Sequence, residues 1–129
     1  MNQRGFATLE VILMIMVIAI LASIAVPRFT AVTTAANTAK IQADLSTIDT
    51  AIAIYAMENG KDPSQLSDLQ NYLQDYDNVK PPTGKAYING TATAISATEY
   101  GIQAATDTTD CRATLDGNTA GAFTSKGKD

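Results

Sequence analysis

Residues 5–28 read Gly5-Phe-Ala-Thr-Leu-Glu10-Val-Ile-Leu-Met-Ile15-Met-Val-Ile-Ala-Ile20-Leu-Ala-Ser-Ile-Ala25-Val-Pro-Arg28. Seventeen consecutive positions between Glu10 and Arg28 carry no charge. Phe6 to Val26 spans 21 residues, which matches the roughly 20 that an α-helix needs to cross a bilayer. The stretch is apolar on every side, so it does not read as an amphipathic surface helix. Arg4 and the initiator amine precede it and Arg28 follows, a weak bias that keeps the N-terminus in the cytoplasm. One residue does not fit a plain greasy span. Glu10 lies four residues inside it, where an acidic side chain costs about 2.5–3.5 kcal/mol at mid-bilayer on insertion scales.

The rest of the chain is small. The whole is 129 residues and 13.6 kDa, enough for one modest domain beyond the apolar segment. It contains no histidine, which removes the usual general base and the commonest metal ligand. A single cysteine permits neither an intrachain disulfide nor a thiolate zinc cluster. Nine basic against thirteen acidic residues leave a net charge of −4, the wrong sign for a phosphate-binding surface. No pairing of nucleophile and base is visible, so the composition argues against an enzyme and against nucleic-acid binding.

Three readings of the N-terminal segment compete. A cleavable secretory signal finds small residues at Ser23-Ile24-Ala25, but Glu10 sits badly in its apolar centre. A plain single-span anchor gives Glu10 no purpose. The third reading supplies one. Gly5-Phe6-x-x-x-Glu10, the apolar run and Pro27, all in register, resemble the leader of type IV pilins and of the pseudopilins of type II secretion systems. The resemblance is close over residues 4–29 and loose to about residue 60. It implies that a prepilin peptidase cuts between Gly5 and Phe6 and methylates the new amine of Phe6. Residues 1–5 would be the leader, 6–29 a transmembrane and later filament-core helix, and 30–129 the globular head with the second half of the helix. Ala7-Thr8-Leu9 departs from the commoner residue order, and Ala19 stands where many relatives have glycine.

The physics of Glu10 then becomes readable. Cutting after Gly5 leaves a charged amine at Phe6, and Glu10 of one subunit can pair with the Phe6 amine of a neighbour. A mismatched stack would leave two charges unpaired in an apolar core, so the pair fixes subunit register.

Beyond Pro27, which lacks an amide donor and is expected to kink or loosen a helix rather than end it, the helical pattern continues. Ala31, Val32, Ala35, Ala36 and Ala39 form a small-residue surface. Ile41, Leu45, Ile48, Ile52 and Tyr55 then follow at spacings of 4, 3, 4 and 3, the repeat of one buried helix face. Lys40, Gln42, Asp44, Thr47, Asp49 and Glu58 mostly fall on the other sides. Gly60 is the expected stop, which makes one helix of Phe6 to Asn59.

After it, Asp62-Pro63-Ser64 offers a helix start and Ser67 with Gln70 a capping box. Leu66, Leu69, Tyr72 and Leu73 predict a short amphipathic helix to about Tyr76. Asn89-Gly90 between Ala86–Ile88 and Thr91–Ile95 predicts a β-hairpin. Glu99–Ala104 and Cys111–Leu115 follow as a third and fourth strand, with Asp116-Gly117-Asn118 as a turn. From Thr119 onward the composition predicts a frayed tail. The fold class is therefore α+β, one long N-terminal helix packed on a small antiparallel sheet, which is also what the pilin resemblance implies.

The side signals are weaker. Cys111 reads as a small buried apolar residue. Asp107, Asp110 and Asp116 could present oxygens to Ca²⁺, in a region where major pseudopilins carry a calcium site, but their spacing fits no EF-hand, and the segment reads as a solvated loop. No metal or other cofactor is otherwise expected. Asn89-Gly90-Thr91 matches a glycosylation sequon and is explained by the turn. Lys80, Lys85, Lys126 and Lys128 form no stripe.

The function implied is structural, a pilus or pseudopilus subunit that sits in the cytoplasmic membrane with its N-terminus inside and then enters a periplasmic or extracellular filament. Its partners would be copies of itself, related minor pilins, the peptidase, and an assembly ATPase acting through a platform protein. A membrane-anchored or secreted binding module that does not polymerise is the other reading.

Overall fold

The computed structural model describes residues 3–124, with the backbone alone at 26–28. Met1 and Asn2 of the expected leader, and the Lys126 and Lys128 charges, lie outside the described residues. The chain divides into two compact units, Met1–Thr33 and Thr34–Asp129.

A single helix, α1, runs Gln3–Asn59 over 57 residues. It begins three residues before the expected start at Phe6. Position 27 is helical, so Pro27 does not end it. Gly60 does: it takes φ +67° and donates its N–H to Ala56 O at 2.9 Å, the left-handed cap that glycine adopts without penalty.

In the second unit the core grows from one face of α1. Ile41, Leu45, Ile48 and Ile52 are buried, as their spacing predicted, and Tyr55 is half-buried against them. Sequence reading missed the upstream continuation. Thr34 and Thr38 are also buried and extend the same 4-3 spacing back toward the N-terminus. Leu69, Leu73, Ala86, Tyr100, Ala113, Leu115 and Phe123 close over this stripe. Each fully buried Ile, Leu or Phe side chain contributes on the order of 1.5–3 kcal/mol from removal of apolar area from water.

The expected amphipathic helix after residue 64 is replaced by two 3₁₀ turns, Leu66–Leu69 and Tyr76–Asn78. Its start is held by Asp68 rather than by Ser67 and Gln70. Asp68 Oδ2 accepts the Ser64 and Gln65 amides at 2.9 and 3.2 Å and the Ser64 hydroxyl at 3.0 Å. Two forces break the helix. Asp75 takes a left-handed conformation, φ 58°, and Tyr72, in a turn where its amide donates to Leu69 O at 2.9 Å, reaches the end of α1. There its ring lies edge-on to Tyr55 at 5.5 Å, and its hydroxyl donates to Glu58 Oε2 at 2.6 Å.

Two hairpins follow. Strands β1, Lys85–Ile88, and β2, Thr91–Ala94, pair antiparallel around Asn89-Gly90. Both turn residues have positive φ, 50° and 82°, as a type I′ turn requires. Strands β3, Gly101–Gln103, and β4, Arg112–Thr114, form the second antiparallel pair. The expected third and fourth strands are both present but shorter, and the four strands make two sheets rather than one. Asp116-Gly117 turns the chain at φ 49° and 80°, with Leu115 and Asn118 exchanging both backbone bonds at 2.9 Å.

The tail from Thr119 is not frayed where it is described. Ala120–Ala122 forms a 3₁₀ turn, Ala122 O accepts the Asn89 amide at 2.7 Å, and Phe123 is only 1% exposed. A single large aromatic supplies the anchoring that the polar composition around it conceals.

Candidate functional site

In the first unit, α1 leaves its large apolar side chains uncovered. Phe6, Leu9, Leu13, Ile15, Ile18, Leu21 and Ile24 are all exposed, the least of them by 59%. The helix contains an apolar window long enough to cross a membrane by length and composition, and none of that window is buried. An apolar surface of this extent marks an interaction site on a membrane or on protein. Glu10 heads one face of it, with Leu13, Met14, Val17 and Ile18 lining a shallow groove of about 420 Å³. These positions follow at i+3, i+4, i+7 and i+8, so they lie on one side of the helix. Phe6 precedes Glu10 by one turn. No hydrogen bond or ion pair reaches Glu10 among the described residues.

Gly5 stands in this helix with nothing within 4 Å of the place a Cβ would occupy. Neither its backbone nor its surroundings require glycine, which costs a helix about 0.5–1 kcal/mol relative to alanine. Its presence therefore needs an explanation outside the packing.

In the head, the polar flanks of α1 do the positioning. Asn37 Nδ2 donates to Thr83 O and Lys85 O, both at 3.0 Å. Thr38 Oγ1 accepts the Tyr87 amide at 2.7 Å while donating to Thr34 O at 2.7 Å. Asp49 Oδ1 accepts the Ala113 amide at 2.7 Å, and its other oxygen meets Arg112 at 3.4 Å. Asp44 Oδ2 accepts from the Tyr100 hydroxyl at 2.6 Å and from Lys40, whose ammonium also donates to Lys80 O at 3.1 Å. Each hairpin is thus tied to the helix through an outward amide, Tyr87 of β1 and Ala113 of β4. Asp44 and Asp49 read from sequence only as positions off the buried face; their partners lie 56 and 64 residues away and leave no local signal.

Burial, reinforced by the Asp44 carboxylate, holds the Tyr100 phenol well above its ordinary value. The amide and hydroxyl of Ser64 hold Asp68 below the usual carboxylate value. Burial, followed by the nearby Asp62 and Asp49 carboxylates, pushes the Cys111 thiol up.

The chain is similar to curated proteins named type II secretion system core protein G. Those of Klebsiella michiganensis and Klebsiella pneumoniae are 32% identical over 69 residues, 54% of this chain and 49% of theirs. That of Pectobacterium carotovorum is 32% identical over 69 residues, 44% of its own length. The chain spans about half the length of the curated relatives it matches. No family model matches, and no solved structure matches.

These matches support the pilin and pseudopilin family. The α+β architecture, one long N-terminal helix with small antiparallel sheets, fits that family. The calcium candidates do not converge: Asp116 is engaged by Ser96, whose amide and hydroxyl donate to it at 3.0 and 2.9 Å. Asp107 and Asp110 are exposed in the β3–β4 connection. Among the described residues no group of three or more carboxylate or cysteine side chains is placed to hold a metal ion. Cys111, expected as a small buried apolar residue, is a free thiol, half-buried rather than fully so, with Sγ 4.0 Å from Pro63 O.

Proposed function

We propose that this chain is a structural subunit of a pilus-like filament, held in the membrane by the first half of α1 until it is assembled. The observation that carries the reading is an uncovered apolar helix bearing one carboxylate without a partner, Glu10. In an anchor alone that carboxylate is a cost. In a bundle of such helices it is a register device, paired with the amine that cutting between Gly5 and Phe6 creates on a neighbour. Gly5, which the fold itself does not require, is then a recognition feature for a prepilin peptidase that also methylates Phe6. Pro27 gives the helix a weak point between its membrane half and its head half, where extraction from the bilayer can loosen it. Residues 1–5 are leader, 6–29 membrane and filament core, and 30–129 head.

The similarity to type II secretion core proteins favours a periplasmic pseudopilus among the filaments this design serves. The partners are then further copies of the chain and related subunits, with a platform protein and ATPase driving assembly.

Mass spectrometry of the protein from its native membrane tests the reading. The expected species begins at a methylated Phe6. A chain that keeps Met1, or one that begins near Val26, would instead mark a membrane-anchored or secreted binding module.

A further inference from the structure

The second hairpin leaves one edge open. Because the Ala113 amide turns away from β3 to reach Asp49, Ala113 and its partner Ile102 form a non-hydrogen-bonded pair. In such a pair both residues direct N–H and C=O outward. Ile102 therefore presents a donor and an acceptor on the free edge of β3, and no hydrogen bond reaches either among the described residues. An open edge of this kind is a template for a further strand.

Along the same strand lies a cleft of about 590 Å³. Tyr100, Gly101 and Ile102 form one wall, Leu66, Tyr76 and Val79 another, and β4 contributes nothing. Its lining includes two acidic residues, Asp77 and Glu99, and one basic residue, Lys80. The site suits an extended peptide with more positive than negative side chains. This chain contains such a segment in Ser125-Lys126-Gly127-Lys128-Asp129. In extended backbone, residues two apart share a side, so Lys126 and Lys128 would face the same way.

We propose that Ser125–Asp129 of a second copy adds as a short strand to the free edge of β3, its lysines against Asp77 and Glu99 and Asp129 against Lys80. The proposal takes only the presence of a neighbouring copy from the filament reading. It makes the C-terminal segment a link between heads, separate from the bundling of the N-terminal helices.

Two measurements on the full chain in detergent micelles test it. In the first, a synthetic Thr124–Asp129 peptide is titrated into isotope-labelled protein. Amide shifts are expected at Glu99–Gln103 and Leu66–Val79, with slowed exchange of the Ile102 amide. Replacing both peptide lysines by serine, or using the Asp77→Asn/Glu99→Gln protein, should weaken binding about fivefold, as two exposed ion pairs allow. Shifts elsewhere, or equal binding of the serine peptide, would overturn the proposal. In the second, light and heavy chains are mixed and joined by a zero-length carboxylate–amine cross-linker. Cross-links from Glu99 or Asp77 to Lys126 or Lys128 should carry mixed labels in statistical share. Links within one label alone mean that each chain folds its own segment back, and the proposal fails. The titration repeated on Glu10→Ala protein should be unchanged, which separates this contact from filament assembly.

Discussion

The Tyr100 hydroxyl donates a 2.6 Å hydrogen bond to Asp44 Oδ2, joining the residue just before β3 to the flank of the long helix. The ring of Tyr100 is buried in the core while its oxygen reaches the surface network of Lys40, Asp44 and the Lys80 carbonyl. One residue therefore couples the apolar and polar halves of the head's attachment to α1. Tyr100→Phe should keep the packing and lose the bond, a destabilisation of about 1–2 kcal/mol for a half-exposed bond to a charged acceptor, read as a lower midpoint in urea.

The same residue sets an alkaline limit. Its folded-state value lies above the ordinary 10.0, because burial and the Asp44 carboxylate oppose the phenolate. A raised folded value means that its contribution is complete below pH 10 and is lost as pH rises from there toward the folded value. The stability difference between wild type and Tyr100→Phe should be constant below pH 10 and narrow above it. Thermal unfolding of both proteins between pH 8 and pH 11 is the measurement. A gap that does not change would mean that the phenol titrates alike in both states.

Asp68 sets the opposite limit. Its folded-state value lies below 3.8, chiefly through the Ser64 amide and then the Ser64 hydroxyl. A depressed value contributes stability that is present above 3.8 and is lost as pH falls through the folded value. Wild type should exceed Asp68→Asn in thermal midpoint at neutral pH, and the two should converge in acid. Circular dichroism melts between pH 2 and pH 7 would show it.

Thr38→Val tests the polar attachment of the first hairpin. Thr38 is 4% exposed and its Oγ1 is the acceptor for the Tyr87 amide. Valine keeps the shape and leaves that amide without its partner, at a cost of about 1–3 kcal/mol. Thr38→Ser, which keeps the oxygen, should recover most of the loss in urea titrations, and faster hydrogen exchange at Tyr87 in the valine protein would locate it.

What sequence could and could not reveal follows from how local each cause is. The Ile41–Ile52 stripe, the Gly60 stop and the Asn89-Gly90 turn depend on spacing or on a residue's own φ, and all three were legible. The apolar N-terminal half of α1 was legible for a similar reason, since an uncharged run of that length stands out without any partner in view. Thr38, Asp44 and Asp49 act through partners 49 to 64 residues away, and their own neighbours look like an ordinary wet helix flank. The 3₁₀ segment was misread because Leu66, Leu69, Tyr72 and Leu73 do have helical spacing; tertiary contacts of Tyr72 and the left-handed Asp75 override it. Phe123 was misread because one anchoring side chain cannot outweigh the polar residues around it in a compositional reading.

The last prediction concerns Glu10. Among the described residues its carboxylate has no partner, and every residue that shares its groove is apolar. A single chain therefore gains nothing in its fold from the charge. Glu10→Ala should leave the head's melting temperature and membrane insertion unchanged, since a span without the carboxylate inserts at least as readily. If Glu10 pairs with a neighbour's Phe6 amine as proposed, assembly should fail, because removing one member of a buried pair costs on the order of 3–5 kcal/mol per subunit contact. The measurement is filament yield in sheared or overexpressed fractions by electron microscopy, beside membrane fractionation of the same cells. Glu10→Asp, which keeps the charge on a shorter stem, should assemble partially. Filaments of normal number and length from the alanine chain would show that helix packing alone sets register and that the carboxylate serves another purpose.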